Sequence, residues 1–143
     1  MHRDPGLVIT PDALAPLADD RTRAALVVDF DGTLAPIVDH PDRAVALPEA
    51  LDLLRLLVDD LALVGIVSGR PVDFLRERIG IDGLALVGQY GLERLVDGRI
   101  VFDPAAEPFV APVAAALDEA RARWPRLVIE RKGAIAVALH WRT

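Results

Sequence analysis

Apolar residues along this chain fall into two rhythms that alternate. Three short runs, ALVVDF (25–30), LALVGIV (61–67) and LALVG (84–88), show no polar alternation, the pattern of parallel strands buried on both faces. Between them the spacing turns helical. In PEALDLLRLLVDDL (48–61), Ala50, Leu51, Leu54, Leu57, Val58 and Leu61 share one face, with Pro48 near the start. In PVDFLRERIG (71–80), Pro71 stands near a helix start and Gly80 at its stop. A Pro-punctuated helical lead-in is predicted at 11–19. Strand, helix, strand, helix, strand is the order of an α/β fold with a doubly wound parallel sheet, whose ligands sit beyond the carboxyl ends of the strands. The polar clusters 29–33, 68–70 and 89–93 all fall at such ends.

The pattern changes after Glu93. LERLVDGRIVF (92–102) carries Asp97-Gly98 between two apolar arms, a two-residue hairpin signal. PFVAPVAAALDEARARW (108–124) then reads as helix, and LVIERKGAIAVALHWR (127–142) as two strands joined near Gly133. A second, α+β unit is expected to begin near 104–108. No internal repeat or low-complexity tract interrupts this layout.

Composition narrows the function classes. At 143 residues and 52% hydrophobic content the chain has the size and apolar content of one ordinary domain. No apolar run reaches the roughly 18 residues of a membrane span, and the first residues lack the basic-then-apolar layout of a signal peptide, so a cytoplasmic location with no membrane partner is the expectation. Without cysteine there is neither a disulfide framework nor a thiolate metal site. A net charge of −6 argues against general affinity for nucleic acid. Lys132 is the only lysine.

The chemistry lies at the strand ends. Asp29 and Asp31, one residue apart and followed by Gly32-Thr33, place two carboxylates where each destabilises the other unless a cation or hydrogen-bond donors meet them. Such residues also form ordinary turns. The functional alternative makes Asp29 a nucleophile on phosphorus and Asp31 the acid that protonates the leaving oxygen and then the base for water. Gly32 permits a tight turn, and backbone N–H groups with the Thr33 hydroxyl can face phosphate oxygens. Ser68, at the end of the next run, is either a helix cap or a hydroxyl donor to the same phosphate; adjacent strand ends would bring it close to Asp29. His40, His140 and Trp141 have no partner at metal-ligand spacing and read as packing residues.

DFDGTL followed by SGR resembles the first two motifs of the haloacid dehalogenase phosphatase superfamily. DFDGTLAPIVDHPDRA, VSGRPVDFL, VGQYGLER and ERKGAIAVALHWR together resemble the trehalose-6-phosphate phosphatases of that superfamily, from residue 20 onward. The resemblance implies an incomplete haloacid dehalogenase-like core over 1–106 and the beginning of an α+β cap over 107–143. It implies Mg2+ as cofactor and trehalose 6-phosphate as substrate in trehalose biosynthesis. Asp29 then matches the nucleophile and metal ligand, and Asp31 the acid/base whose carbonyl also binds metal. Gly32, Thr33, Ser68 and Gly69 match the phosphate site. Arg70, Tyr90, Gly91 and Glu93 match the sugar side, and Glu130, Lys132 and Arg142 the cap residues that close over the sugar.

Read on their own, Glu130 and Lys132 also fit a solvated strand face. One departure matters: no lysine follows Lys132 and no Asp or Glu follows Glu130, whereas such enzymes carry a later lysine and a later Gly-Asp-Asp motif. The chain alone is therefore expected to be inactive and to self-associate through open sheet edges. Another sugar-phosphate phosphatase of the superfamily and a non-catalytic binding remnant are the alternative readings. A receiver domain phosphorylated on aspartate fits less well, because its acidic cluster would be spread over several strand ends.

Overall fold

The computed structural model describes residues 11–140. After helix α1 (Pro11–Asp19) come β1 (Ala25–Val28), α2 (Pro48–Asp60), β2 (Leu63–Val67), α3 (Val72–Ile79) and β3 (Ala85–Gly88). These are followed by β4 (Glu93–Val96), β5 (Arg99–Phe102), α4 (Val110–Arg123), β6 (Val128–Lys132) and β7 (Ala136–His140). One five-stranded sheet has the order β1-β2-β3-β4-β5, and β6 and β7 form a separate antiparallel pair. β1, β2 and β3 are parallel, with Leu26 opposite Val64 and Ile66 opposite Leu86. β4 and β5 extend the same sheet as an antiparallel hairpin, so the change of rhythm after Glu93 marks a change of strand direction within one sheet. Among the described residues no helix is long and apolar enough to cross a membrane.

Local chemistry accounts for the element ends. Proline opens α2, where a missing N–H costs nothing. α3 stops at Gly80, whose φ of 57° is left-handed and whose N–H bonds back to the Arg76 carbonyl. Asp97 and Gly98 both adopt positive φ, 49° and 73°, the two-residue turn whose twist matches that of its strands.

The core occupies one face of the parallel strands. Val64, Ile66 and Leu86 point toward Leu54 of α2 and Val72, Leu75 and Ile79 of α3, together with Phe30, Leu34 and Ala44 from the loop after β1. Phe30 is fully buried and meets the edge of the Phe74 ring, centroids 5.8 Å apart. The opposite face differs from the expectation of strands covered on both sides: Val27 is 54% exposed and Leu63 and Val67 are also exposed. β1 is moreover the end strand of the sheet. A continuous apolar run shows that both faces can be covered; which face is covered depends on where the helices pack, and α2 and α3 pack on the same one.

Phe30→Ala should lower stability by about 3–5 kcal/mol, the usual cost of emptying a buried aromatic site. Equilibrium denaturation in urea checks it, and a loss under about 1 kcal/mol would contradict the packing described.

Candidate active site

The first site segment is a tight turn built on one carbonyl. The N–H groups of Thr33, Leu34 and Ala35 all reach the Phe30 carbonyl, at 3.4, 3.0 and 2.9 Å, while Gly32 N–H donates to the Ala35 carbonyl at 2.7 Å. Gly32 takes φ 84°, which suits a residue without a Cβ. Burying Phe30 between two aspartates turns Asp29 and Asp31 away from the core, Asp29 and Thr33 being exposed and Asp31 half-buried. With Gly32 N–H engaged inside the turn, the Thr33 hydroxyl is an exposed donor of this segment that a phosphate could meet.

The second segment is stitched to the third by backbone bonds. Ser68 N–H donates to the Val87 carbonyl, Tyr90 N–H to the Ser68 carbonyl and Gln89 N–H to the Arg70 carbonyl, at 3.0, 3.1 and 3.0 Å. Ser68 is buried, and its Oγ accepts the Arg70 N–H at 3.2 Å, which leaves the hydroxyl proton to donate elsewhere. A Cβ on Gly88 would stand 2.7 Å from the Arg70 carbonyl, so glycine is required at that close approach, while one on Gly69 would stand 2.6 Å from the ring of the exposed Tyr90, which would have to swing aside.

Arg70 joins the segments. Its Nε and Nη2 donate to the two carboxylate oxygens of Asp31, each at 2.8 Å, and Nη1 donates to the Pro41 carbonyl at 3.1 Å. The guanidinium lies 4.6 Å from the centroid of Phe74. Arg78 lies 5.2 Å from the same ring and donates to the Asp42 carbonyl. The hydrogen bonds from Arg70 hold the Asp31 carboxyl below its usual range, against partial desolvation, with the Arg70 and Lys132 charges adding to the effect. The Arg70 pKa is raised by the same hydrogen bonds. The resemblance puts Arg70 on the sugar side; here its guanidinium is engaged by protein groups.

The third segment bends through two consecutive left-handed residues, Gln89 at φ 48° and Tyr90 at φ 59°. Tyr90 is 74% exposed at the rim, beside Gly91. Glu93 is buried: one carboxylate oxygen accepts Val72 N–H at 2.8 Å, and the other accepts the Gln89 side-chain amide. Glu93 therefore braces the start of α3, and its oxygens do not open toward a ligand. Gln89, fully buried, opens the polar cluster 89–93 marked in the sequence, where nothing in its type or spacing gives it a role.

β6 faces these tips. The charge of Lys132 acts on Asp31 and that of Glu130 on Arg70. Glu130 Oε2 lies 3.0 Å from His140 Nε2 and 4.0 Å from Lys132 Nζ. Between β6 and the loop after β1 runs a cleft of about 490 Å³, lined by Asp39, His40, Pro41, Asp42, Glu130 and His140 among others. His40 is exposed rather than packed, and His140 is half-buried against Glu130. Arg142 and Trp141 lie outside the described residues.

For a metal, Asp29 and Asp31 supply hard oxygen donors. Among the described residues no three His, Cys, Asp or Glu gather into a metal cluster. One carboxylate and one carbonyl fit Mg2+, which keeps several waters and shares phosphate oxygens with its substrate, better than they fit a metal held wholly by protein. With the Asp31 carboxylate engaged by Arg70, its carbonyl is the donor to consider.

Comparison with known proteins gives the family. Residues 27–143 match the trehalose-phosphatase family. A trehalose-phosphate phosphatase of Mycobacterium leprae is 37% identical over 140 residues, covering 92% of this chain and 32% of the relative. The C-terminal domain of C. albicans trehalose-6-phosphate phosphatase superposes with a TM-score of 0.74 at 25% identity, covering 94% of this chain and 48% of that one. A haloacid dehalogenase-like hydrolase from Bacteroides thetaiotaomicron shares the fold at 17% identity and TM-score 0.54. The chain thus spans about a third of the length of the curated relative and about half of the solved one. With the family match covering both aspartates, Ser68, Arg70 and β6, this chain belongs to the trehalose-phosphatase family.

Proposed function

We propose that this chain supplies the nucleophile side of a phosphomonoester hydrolase acting on trehalose 6-phosphate. The observation that carries the reading is the bond from Arg70 at the tip of β2 to Asp31 beyond the tip of β1, two adjacent parallel strands whose ends also carry Ser68 and Asp29. The sugar phosphate comes from the family and from the trehalose-phosphate phosphatase relative.

In this reading the exposed Asp29 carboxylate attacks phosphorus and the bond to the sugar oxygen breaks, that oxygen taking a proton from Asp31. Water then attacks the aspartyl-phosphate, gives its proton to Asp31, and releases phosphate with Asp29 restored. Arg70 favours the ionised Asp31 carboxylate, which suits the step in which it takes a proton from water and opposes the one in which it gives a proton to the sugar oxygen. Thr33 and Ser68 orient the phosphate. Asp29 and the Asp31 carbonyl would hold Mg2+, which when bound neutralises charge on the phosphoryl oxygens. Tyr90 at the rim and Glu130 and Lys132 on β6 stand where the sugar would lie, with α4, β6 and β7 as the beginning of a cap over 107–143. A cytoplasmic setting belongs to the same reading. So do the inactivity of residues 1–143 in isolation, since the family's later lysine and acidic motif have no counterpart there, and their self-association through the exposed edge of β1.

In the whole protein, Asp29→Asn should abolish turnover, and Asp31→Asn should slow it by roughly 10²–10⁴ while leaving phosphate binding largely intact. Phosphate release on trehalose 6-phosphate checks both; near-normal turnover by the Asp29 variant sinks the covalent mechanism. Chelation with EDTA should remove activity and Mg2+ should restore it, so EDTA-resistant hydrolysis would contradict the metal assignment. On a substrate panel, faster turnover of sucrose or glucose phosphates than of trehalose 6-phosphate would favour another sugar phosphatase.

A further inference from the structure

Gln89 presents an anomaly that the proposed reaction does not use. It is fully buried, its backbone is left-handed, and its Oε1 is a buried oxygen without a hydrogen-bond partner among the described residues. Unpaired buried acceptors are uncommon, because the lost hydration is not replaced. The side chain is not free to turn. Its amide nitrogen is held by Glu93, whose other oxygen is held by Val72 N–H, and the Gln89 backbone N–H is tied to the Arg70 carbonyl.

The nitrogen end of this carboxamide, the end that Glu93 holds, meets the turn between β6 and β7. A Cβ placed on Gly133 would overlap the Gln89 amide and would stand 2.8 Å from Oε1. Gly133 sits at φ 68°, and its carbonyl accepts Arg131 Nε at 2.8 Å, which pins the turn from the other side. Lys132 immediately precedes this turn and Glu130 lies two residues further back on the same strand.

We propose that Gln89 is a positioning residue: its locked carboxamide is the seat on which the Gly133 turn rests, and it sets where Glu130 and Lys132 stand over Arg70 and Asp31. The inference rests on the proposed function for its consequence in catalysis, since only a substrate with a sugar needs β6 in place. The physical chain is short. The Arg70 carbonyl and Glu93 fix Gln89, Gln89 fixes Gly133, and Gly133 fixes the end of the strand bearing the two charged residues. A side chain at 133 would lift that strand away, whereas the aspartates and Ser68, held by their own turns, would stay.

The test uses Gly133→Ala in the whole protein, assayed on trehalose 6-phosphate and on p-nitrophenyl phosphate, which has no sugar to be held. KM for the sugar phosphate should rise on the order of tenfold to a hundredfold, the scale of a small misplacement of positioning groups. Hydrolysis of the aryl phosphate should stay within about twofold, as expected when only binding of the remote part is lost. Equal losses on both substrates, or no loss on either, would overturn the proposal. Gln89→Asn withdraws the amide by one methylene, so Gly133→Ala should be less damaging in that background than in the wild-type one. Should Gly133→Ala not fold, Gln89→Asn alone should raise KM for the sugar phosphate and spare the aryl phosphate, and its failure to do so would count against the seat. Thermal unfolding gives a readout without substrate: the melting shifts of the two substitutions should be non-additive, and additive shifts would refute the contact even in a protein that hydrolyses neither ester. A protein inactive on both esters but showing the coupling would keep the seat and reject the proposed function.

Discussion

The bidentate bond between Arg70 and Asp31 is the constraint on which the rest of the site depends. It crosses between the tips of two parallel strands, so the position of one acidic residue is set by a residue 39 positions further along the chain. The guanidinium is mostly withdrawn from water, with its side chain 10% exposed against 32% for the carboxylate. In such a setting the pair adds little net stability, but removing either partner strands the other charge in a poorly solvated place. The flat fork of Arg matches the two carboxylate oxygens in a way that the point charge of a lysine cannot. The same guanidinium holds the Pro41 carbonyl and lies on Phe74, and Phe74 touches Phe30, the residue between the two aspartates. Core packing and site geometry are thus one connected set of contacts.

That connection explains how a sheet covered by helices on one face still presents an ordered site. Order at the tips comes from short-range bonds: three N–H groups on the Phe30 carbonyl, the backbone stitches between 68–70 and 87–90, and the Glu93 carboxylate at the start of α3. None of these needs the outer face, where Val27, Leu63 and Val67 remain exposed. Apolar exposure on that face and, among the described residues, the open edge of β1 are features that soluble proteins usually cover, and they contrast with the close packing a few residues away.

Much of this was legible in the sequence. Uninterrupted apolar runs marked β1 to β3, the 3.6-residue spacing marked α2, proline and Gly80 bounded α3, and Asp97-Gly98 marked the hairpin. The catalytic candidates were visible because their chemistry is unusual for their place: two aspartates beside an apolar strand end call for compensation. Arg70 was visible as a residue but not as the partner of Asp31, since an arginine after a strand can reach in many directions. Gln89 was visible only as the first residue of a polar cluster at a strand end, with no role attached. Its importance lies in being buried, fixed and in contact with Gly133, and none of these is a property of glutamine or of its neighbours in sequence.

By itself the sequence determined what each segment can be, because periodicity, proline, glycine and charge act over a few residues and their effects are local. It determined which strand tips carry the candidate groups, and through its motifs the family. Only the tertiary structure decided which partners those groups take: Arg70 for Asp31, Val72 and Gln89 for Glu93, Gln89 for the Gly133 turn, and one covered face for the sheet. The reason is physical. A charge or a buried amide is satisfied by whatever the fold brings within about 3 Å, and residues far apart in the chain come that close only after the backbone has been placed.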